Sequence, residues 1–237
     1  MKIEFTVKKG DQEIKLVSCS PTNDLKNKIQ AVRSAAFAKA IKEGSLLKAK
    51  VKAVAIEQNV WSAESEQKYK DLILELSNCL RKVPNDQDDT DDEGVTLADA
   101  RTAAIRIREL RNEISELTSV LTSIEANTAE KLADNEVFDY LVANCTFTED
   151  GKKYFKDLTE YKSRTDEPDA YTAASKFAFL YYSVDENYEK TFPENAFLLR
   201  HKLCNDELSL VDKDGKLVDK NWEPVEKPKT TKHKLVM

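Results

Sequence analysis

Between Leu97 and Ile124, the residues Ala100, Ala103, Ile107, Leu110, Ile114, Leu117, Leu121 and Ile124 follow one another at alternating steps of three and four. That spacing keeps them on one stripe of an α-helix with the period of a coiled-coil seam. No Gly or Pro interrupts the run, so it predicts a rod on the order of 40 Å long. A rod with one apolar stripe must bury that stripe against a partner. Upstream, Tyr69, Leu72, Leu76, Cys79 and Val83 make a second stripe at the same steps, ending at Pro84. The connector from Asn85 to Gly94 holds no apolar residue. Two seam-bearing helices joined by a polar loop predict a long antiparallel, coiled-coil-like helical hairpin over 61–126, with an acidic loop at 84–95.

The chain is therefore expected to be mainly α. Five glycines and six prolines in 237 residues supply few tight turns, which argues against an all-β sandwich or barrel. A net charge of −6 lacks the basic footprint of a nucleic-acid binder. No apolar stretch approaches the roughly 20 residues of a membrane span. Met1-Lys2-Ile3-Glu4 alternates instead of leading into an apolar run, so no secretory leader is expected. Cys19, Cys79, Cys145 and Cys204 are far apart and form no CxxC pair, which reads as four free thiols in a reducing cytosol.

Around the central hairpin we expect three further regions. Residues 1–60 open with a β-hairpin, in which Ile3, Phe5 and Val7 alternate with polar residues, Lys9-Gly10-Asp11 turns, and Ile14 and Leu16 alternate again. Such a hairpin is marginal alone and needs helices or another chain beneath it. A helix follows, capped at Thr22 or Asn23, with Leu25, Ile29, Val32 and Ala36 inward. Gly44 stops it, Ser45 caps the next, and Leu46, Ala49, Ala53, Ile56 and Val60 form that helix's inner face. Residues 127–222 form a mostly helical C-terminal region, starting with a fresh cap at Asn127-Thr128-Ala129-Glu130. There, Ala170, Tyr171, Ala174, Phe177, Ala178, Tyr181 and Tyr182 share a helix face that we read as core. A small β-hairpin at 208–218 turns at Asp212-Lys213-Asp214-Gly215. The stretch 223–237, with four lysines and two prolines, reads as a flexible basic tail.

Candidate chemistry is sparse. Asp89, Asp91, Glu93 and Gly94 match the first, third, fifth and sixth places of an EF-hand loop. The twelfth place, which needs a bidentate Glu, is Ala100, so a solvated loop is the better reading. Asp212 and Asp214 are explained by their turn. His201 and Cys204 stand three apart, but zinc needs four ligands, or three and water, and the only other histidine is His233 in the tail. Neither metal nor cofactor is expected. No GxSxG, Walker-type glycine loop, GxGxxG or HExxH occurs, so the chain reads as non-enzymatic. A buried carboxylate pair is the one arrangement that spacing cannot reveal. The residues singled out for interaction are Ile107, Leu110, Ile114, Leu117, Leu121 and Ile124 on the long stripe, together with Phe5, Trp61 and Trp222.

Five stretches resemble a family of tailed-bacteriophage proteins found in phages of marine bacteria and cyanobacteria. They are Gly44-Ser45-Leu46-Leu47-Lys48-Ala49-Lys50, Gln58-Asn59-Val60-Trp61-Ser62, and Asn127 to Asn135 (NTAEKLADN). Pro193-Glu194-Asn195-Ala196-Phe197-Leu198 and Leu210 to Asp219 (LVDKDGKLVD) complete the set. The resemblance implies a virion-structural or tail-assembly protein, sited at the tail or baseplate and present in host cytoplasm during assembly. It implies other phage structural proteins as partners, is compatible with a homo-oligomer, and supplies no catalytic residue. Neither nucleic acid nor membrane is an expected partner. A transient assembly chaperone and a small enzyme with an unrecognised carboxylate site are the alternatives. In some members the lysine-aspartate-glycine turn repeats toward the C-terminus, whereas here that tripeptide occurs once, before Trp222.

Overall fold

The computed structural model describes residues 1–9, 12–84, 95–183 and 187–225. Gly10 and Asp11 of the expected turn, the acidic connector 85–94 with its EF-hand-like aspartates, and the basic tail from 226, with His233, lie outside the described residues. The described chain is mainly α, with eight α-helices and one small antiparallel sheet. Contacts divide it into two units, Met1–Ala63 with Thr118–Glu186, and Glu64–Leu117 with the chain from Asn187 onward. Neither unit is a continuous segment, in contrast to the four consecutive regions suggested by the sequence.

In the first unit, β1 (Lys2–Lys9) and β2 (Gln12–Cys19) form the expected hairpin, with Phe5 opposite Leu16. A third strand, β3 (Thr146–Thr148), pairs antiparallel with β2 and leaves β1 at the sheet edge. Helix α1 (Asn23–Lys42) starts at Thr22, whose hydroxyl accepts from the Leu25 amide at 3.4 Å. It packs along α5 (Ala129–Cys145). Helix α6 (Leu158–Ser163) also packs on α5, and α7 (Pro168–Tyr182) covers β1 and β2. The core holds Val137, Leu141, Val142, Phe155, Tyr161 and Phe177, with Phe5, Leu25, Ile29 and Val32 closing over it. The α7 face is narrower than expected. Ala170, Ala173, Phe177 and Leu180 are buried, but Tyr171 and Tyr182 are 69% and 60% exposed.

The short α2 (Val51–Glu57) also departs from expectation. Ser45 does not cap it; a 3-10 turn at Lys48–Lys50 intervenes and shifts the helical phase. Val51 and Ala55 are therefore the buried residues, while Ala49, Ala53, Ile56 and Val60 are exposed.

At Asp139 on α5, burial pushes the carboxyl above the usual carboxylate range. Lys162 pulls the other way and Glu136 adds to the rise. A raised acid pKa means the folded form holds its proton more tightly than the unfolded one. Stability is then lost as pH climbs from the unfolded pKa through the folded one, and stays lost at neutral pH. Asp139→Asn is expected to be more stable than wild type at pH 7 and equal to it in strong acid, read by urea unfolding at both pH values. An equal midpoint at pH 7 refutes this.

The second unit contains α3 (Ala63–Leu80) from Glu64 on, the first part of α4 (Leu97–Glu125), and α8 (Pro193–Arg200). Helix α4 has the predicted extent. A reciprocal cap starts it: the Thr96 hydroxyl accepts from the Asp99 amide at 3.1 Å, and Asp99 accepts from the Thr96 amide at 3.3 Å. Ala100, Ala103, Ala104 and Ile107 form one core with Val83, Phe197, Leu198 and Cys204, and Leu76, Cys79 and Leu80 of α3 pack against it. The three alanines leave room for Phe197 and Leu198. The α3–α4 pairing is fastened by Arg106, which forks onto both Glu75 oxygens at 2.7 and 3.1 Å and reaches Glu113 at 2.6 Å. Hydrogen bonding to Arg106 holds Glu75 below the usual carboxylate range.

The β-hairpin expected at 208–218 is present in minimal form, as the single antiparallel bridge Val211–Leu217 about the Asp212–Gly215 turn, and the same turn recurs on either side of it. Asn205 Oδ1 accepts the amides of Glu207 and Ser209, Asp212 Oδ1 those of Asp214 and Lys216, and Asp219 Oδ1 those of Asn221 and Glu223. The fourth residue of each turn has positive φ: Leu208 at 60°, Gly215 at 76°, Trp222 at 64°. Single bridges Cys204–Leu210, Val211–Leu217 and Val218–Pro224 close the three turns, and the Val211, Val218 and Val225 amides, donating to the Leu203, Leu210 and Leu217 carbonyls, link each turn to the next. The turn built once with glycine thus occurs three times at a seven-residue spacing. Local Asx hydrogen bonds, rather than glycine, define it. Nothing lies within 4 Å of a Cβ placed on Gly215, so Gly215→Ala meets only the left-handed backbone penalty. The expected loss is about 1 kcal/mol, measurable as a lower unfolding midpoint, with Gly215→Asn milder.

Candidate interaction groove

The first unit carries a shallow groove of about 630 Å³, lined by Gly44, Ser45, Leu46, Gln58, Val60, Ser119, Val120, Ser123, Ile124 and Asn127. Two helix ends and one helix flank build it. Helix α1 closes with Gly44 at φ 88°: the Gly44 amide donates to Ile41 O at 3.0 Å and the Ser45 amide to Ala40 O at 2.9 Å. Helix α2 closes the same way, with Asn59 at φ 55°, Asn59 donating to Ile56 O and Val60 to Ala55 O. Both are Schellman turns, in which a left-handed residue returns two amides to the last helical carbonyls. The third wall is the last part of α4. There, the Ser123 hydroxyl donates to Ser119 O at 2.9 Å and Asn127 Nδ2 to Ser123 O at 3.3 Å.

The groove's position is fixed where α4 meets α5. The Ala129 amide donates to Leu46 O at 2.9 Å, the Lys48 amide to Glu130 Oε2 at 2.9 Å, and Lys48 Nζ pairs with Glu125 at 2.5 Å. Thr128 caps α5 as predicted, accepting from the Lys131 amide at 3.4 Å. Hydrogen bonding to Glu125 raises the Lys48 pKa.

None of the ten lining residues is titratable, in a chain with 34% charged residues. Val60 and Val120 stand 47% and 39% exposed beside three serines, a glutamine and an asparagine. Such a lining suits a neutral partner surface that offers both apolar contact and hydrogen bonds. It holds no nucleophile–base pair and no charge for acid–base work.

Carboxylates that are buried elsewhere are already engaged. Asp169 receives hydrogen bonds from the Tyr154 hydroxyl and the Arg164 guanidinium. Burial pushes its carboxyl up, but the Tyr154 hydrogen bond and the Arg164 charge outweigh that and hold it below the usual range. Glu194 is held by Arg111 at 2.6 Å. Among the described residues, no group of three His, Cys, Asp or Glu is arranged to hold a metal. The His201 ring lies on Phe197 with centroids 4.5 Å apart, and Cys204 is a buried free thiol. No described helix is long and apolar enough to cross a membrane.

Of the residues singled out for interaction, Ile124 lines the groove. Trp61, behind Val60, is buried and donates its amide to Ala55 O at 3.1 Å. Phe5 packs on the first core, and Ile107 and Leu110 are wholly buried in the second unit. Ile114, Leu117 and Leu121 are half-buried along α4. Trp222 lies beneath the Arg101 guanidinium, 4.7 Å from its ring centroid. The groove's serines, Gln58 and Val120 were not singled out. The available signals were the two left-handed cap residues, Gly44 and Asn59, which re-aim the chain at both ends.

Comparison with protein-family models, curated proteins and solved structures finds no match.

Proposed function

We propose that this chain is a non-enzymatic structural or assembly subunit of a tailed bacteriophage, acting at the tail or baseplate through protein–protein contacts. The observation that supports this most is the neutral groove. Three of the five phage-like stretches, 44–50, 58–62 and 127–135, each contribute residues to its lining, although they are distant in sequence. The groove is equipped for a partner surface and lacks the titratable groups a reaction needs.

Mass spectrometry of gradient-purified particles from cells expressing the chain tests the assignment, with Val120→Glu as the comparison. Wild type is expected at fixed stoichiometry in particles. Val120→Glu sets an unpaired charge in the neutral groove and is expected to reduce incorporation at least about tenfold without lowering the thermal midpoint. A chain abundant in infected cells but missing from particles overturns the virion role in favour of a transient chaperone. Normal incorporation of Val120→Glu overturns the role of the groove.

A further inference from the structure

We infer that the outer edge of β1 pairs with β1 of a second copy of this chain, antiparallel, about a two-fold axis through Thr6. The inference rests on the sheet edge alone and is independent of the phage assignment. Strand β1 is eight residues long and lies at the edge of the sheet. The Ser20 amide donates to Met1 O at 2.9 Å, and Met1 and Ser20 are opposite in the register. Antiparallel partners alternate between exchanging hydrogen bonds and not doing so, so Ile3, Phe5 and Val7 bond to β2. Lys2, Glu4, Thr6 and Lys8 then turn their amides and carbonyls outward. Among the described residues, no backbone hydrogen bond occupies that edge.

An open edge is a template for another strand, and its side chains decide which one. Only registers that set outward-facing residues opposite one another can form the ladder. With the axis at Phe5, Lys2 faces Lys8 of the second copy. With the axis at Glu4, the two Glu4 carboxylates meet. With the axis at Val7, no opposite charges meet. With the axis at Thr6, Glu4 faces Lys8 of the second copy, Lys8 faces its Glu4, and Phe5 faces its Val7. An axis at Ile3 sets Lys2 opposite Glu4 but closes with only about four main-chain hydrogen bonds; among registers that form about six or more, the one at Thr6 alone pairs opposite charges, and symmetry makes it do so twice. Glu4, Thr6 and Lys8 are exposed, and each end of the ladder repeats the other. About six main-chain hydrogen bonds would close the seam. The present partner of Glu4 is Lys2 on its own strand at 2.6 Å, an exposed pair that exchanges readily.

Sedimentation equilibrium of the full chain from micromolar to millimolar concentration tests this. Wild type is expected to show a monomer–dimer equilibrium. Glu4→Lys and Lys8→Glu each place like charges opposite one another twice, and each should weaken the dimer at least about tenfold. The double variant Glu4→Lys/Lys8→Glu restores the pairing with its signs exchanged and should recover the wild-type constant. Thr6→Cys should cross-link Cys to Cys across the axis on oxidation by diamide, which accepts the two thiol hydrogens. Peptide mass spectrometry identifies that link. Hydrogen exchange of wild type provides a readout free of variants: protection at Glu4, Thr6 and Lys8 should rise with protein concentration. A monomer at all concentrations, or a dimer indifferent to both charge reversals, overturns the inference.

Discussion

Replacing Phe177 with alanine lowers the stability of the first unit by about 3–5 kcal/mol, the range for removing a buried aromatic ring. Phe177 is wholly buried, and its ring lies 5.7 Å from that of Phe138 and 5.6 Å from that of Tyr181. It sits in the core among Leu141, Phe155 and Ala173, beneath the sheet that α7 covers. Backbone elements surround the site, so collapse into the cavity is limited and the upper part of the range is expected. The chain provides its own reporters, since Trp61 belongs to the first unit and Trp222 to the second. In a Trp222→Phe background, the urea transition followed by Trp61 fluorescence should move to clearly lower urea. A loss under about 1 kcal/mol would place Phe177 outside a packed core. With two units present, each transition must be fitted on its own reporter rather than as one all-or-none step.

Arg111→Ala is expected to cost the second unit about 2–4 kcal/mol, because it strands a buried carboxylate. Glu194 is 1% exposed, and Arg111 meets it with Nε at 2.6 Å and Nη2 at 3.4 Å. The arginine also covers the Phe192 ring, with its guanidinium carbon 4.8 Å from the centroid. The arginine is itself partly exposed, which keeps the expected loss below that of a fully buried pair. The cause can be separated from lost packing. Glu194→Gln in the Arg111→Ala background replaces a stranded charge with a neutral amide and should recover a substantial part of the loss. Failure to recover any would assign the effect to the Phe192 contact instead. The same measurement on Arg33→Ala, whose partner Asp134 is exposed, should show a far smaller loss, since solvent screens that pair.

Signals carried within a few residues were legible in the chain. The α4 stripe and the cap at Thr128 located their helices, because periodicity and capping are local. The Gly44 stop was legible for the same reason. Features requiring distant partners were not. For strand β3, local spacing shows an extended piece ahead of the Glu149-Asp150-Gly151 turn but not its pairing with Leu16, Val17 and Ser18. The α2 face departs from the three-and-four stepping because a 3-10 turn shifts its phase. The sequential regions gave way to interleaved units because α4 contributes to both, with the change at Leu117–Thr118. The groove was the least legible feature. Its serines are ordinary helix-surface residues until Gln58 and Gly44 are brought beside them.

The coil at 205–225 closes its own hydrogen bonds within each turn, at Asn205, Asp212 and Asp219. No turn borrows its shape from a distant strand, and each hands the next an equivalent pair of apolar residues: Leu203-Cys204, Leu210-Val211, Leu217-Val218. The hydrogen bonds that shape one turn therefore do not depend on how many turns precede or follow it. The turns nonetheless meet α4 at set places, the Leu208 carbonyl at Arg108 and the Trp222 ring under Arg101, so a change of one turn would have to re-form those contacts one repeat along.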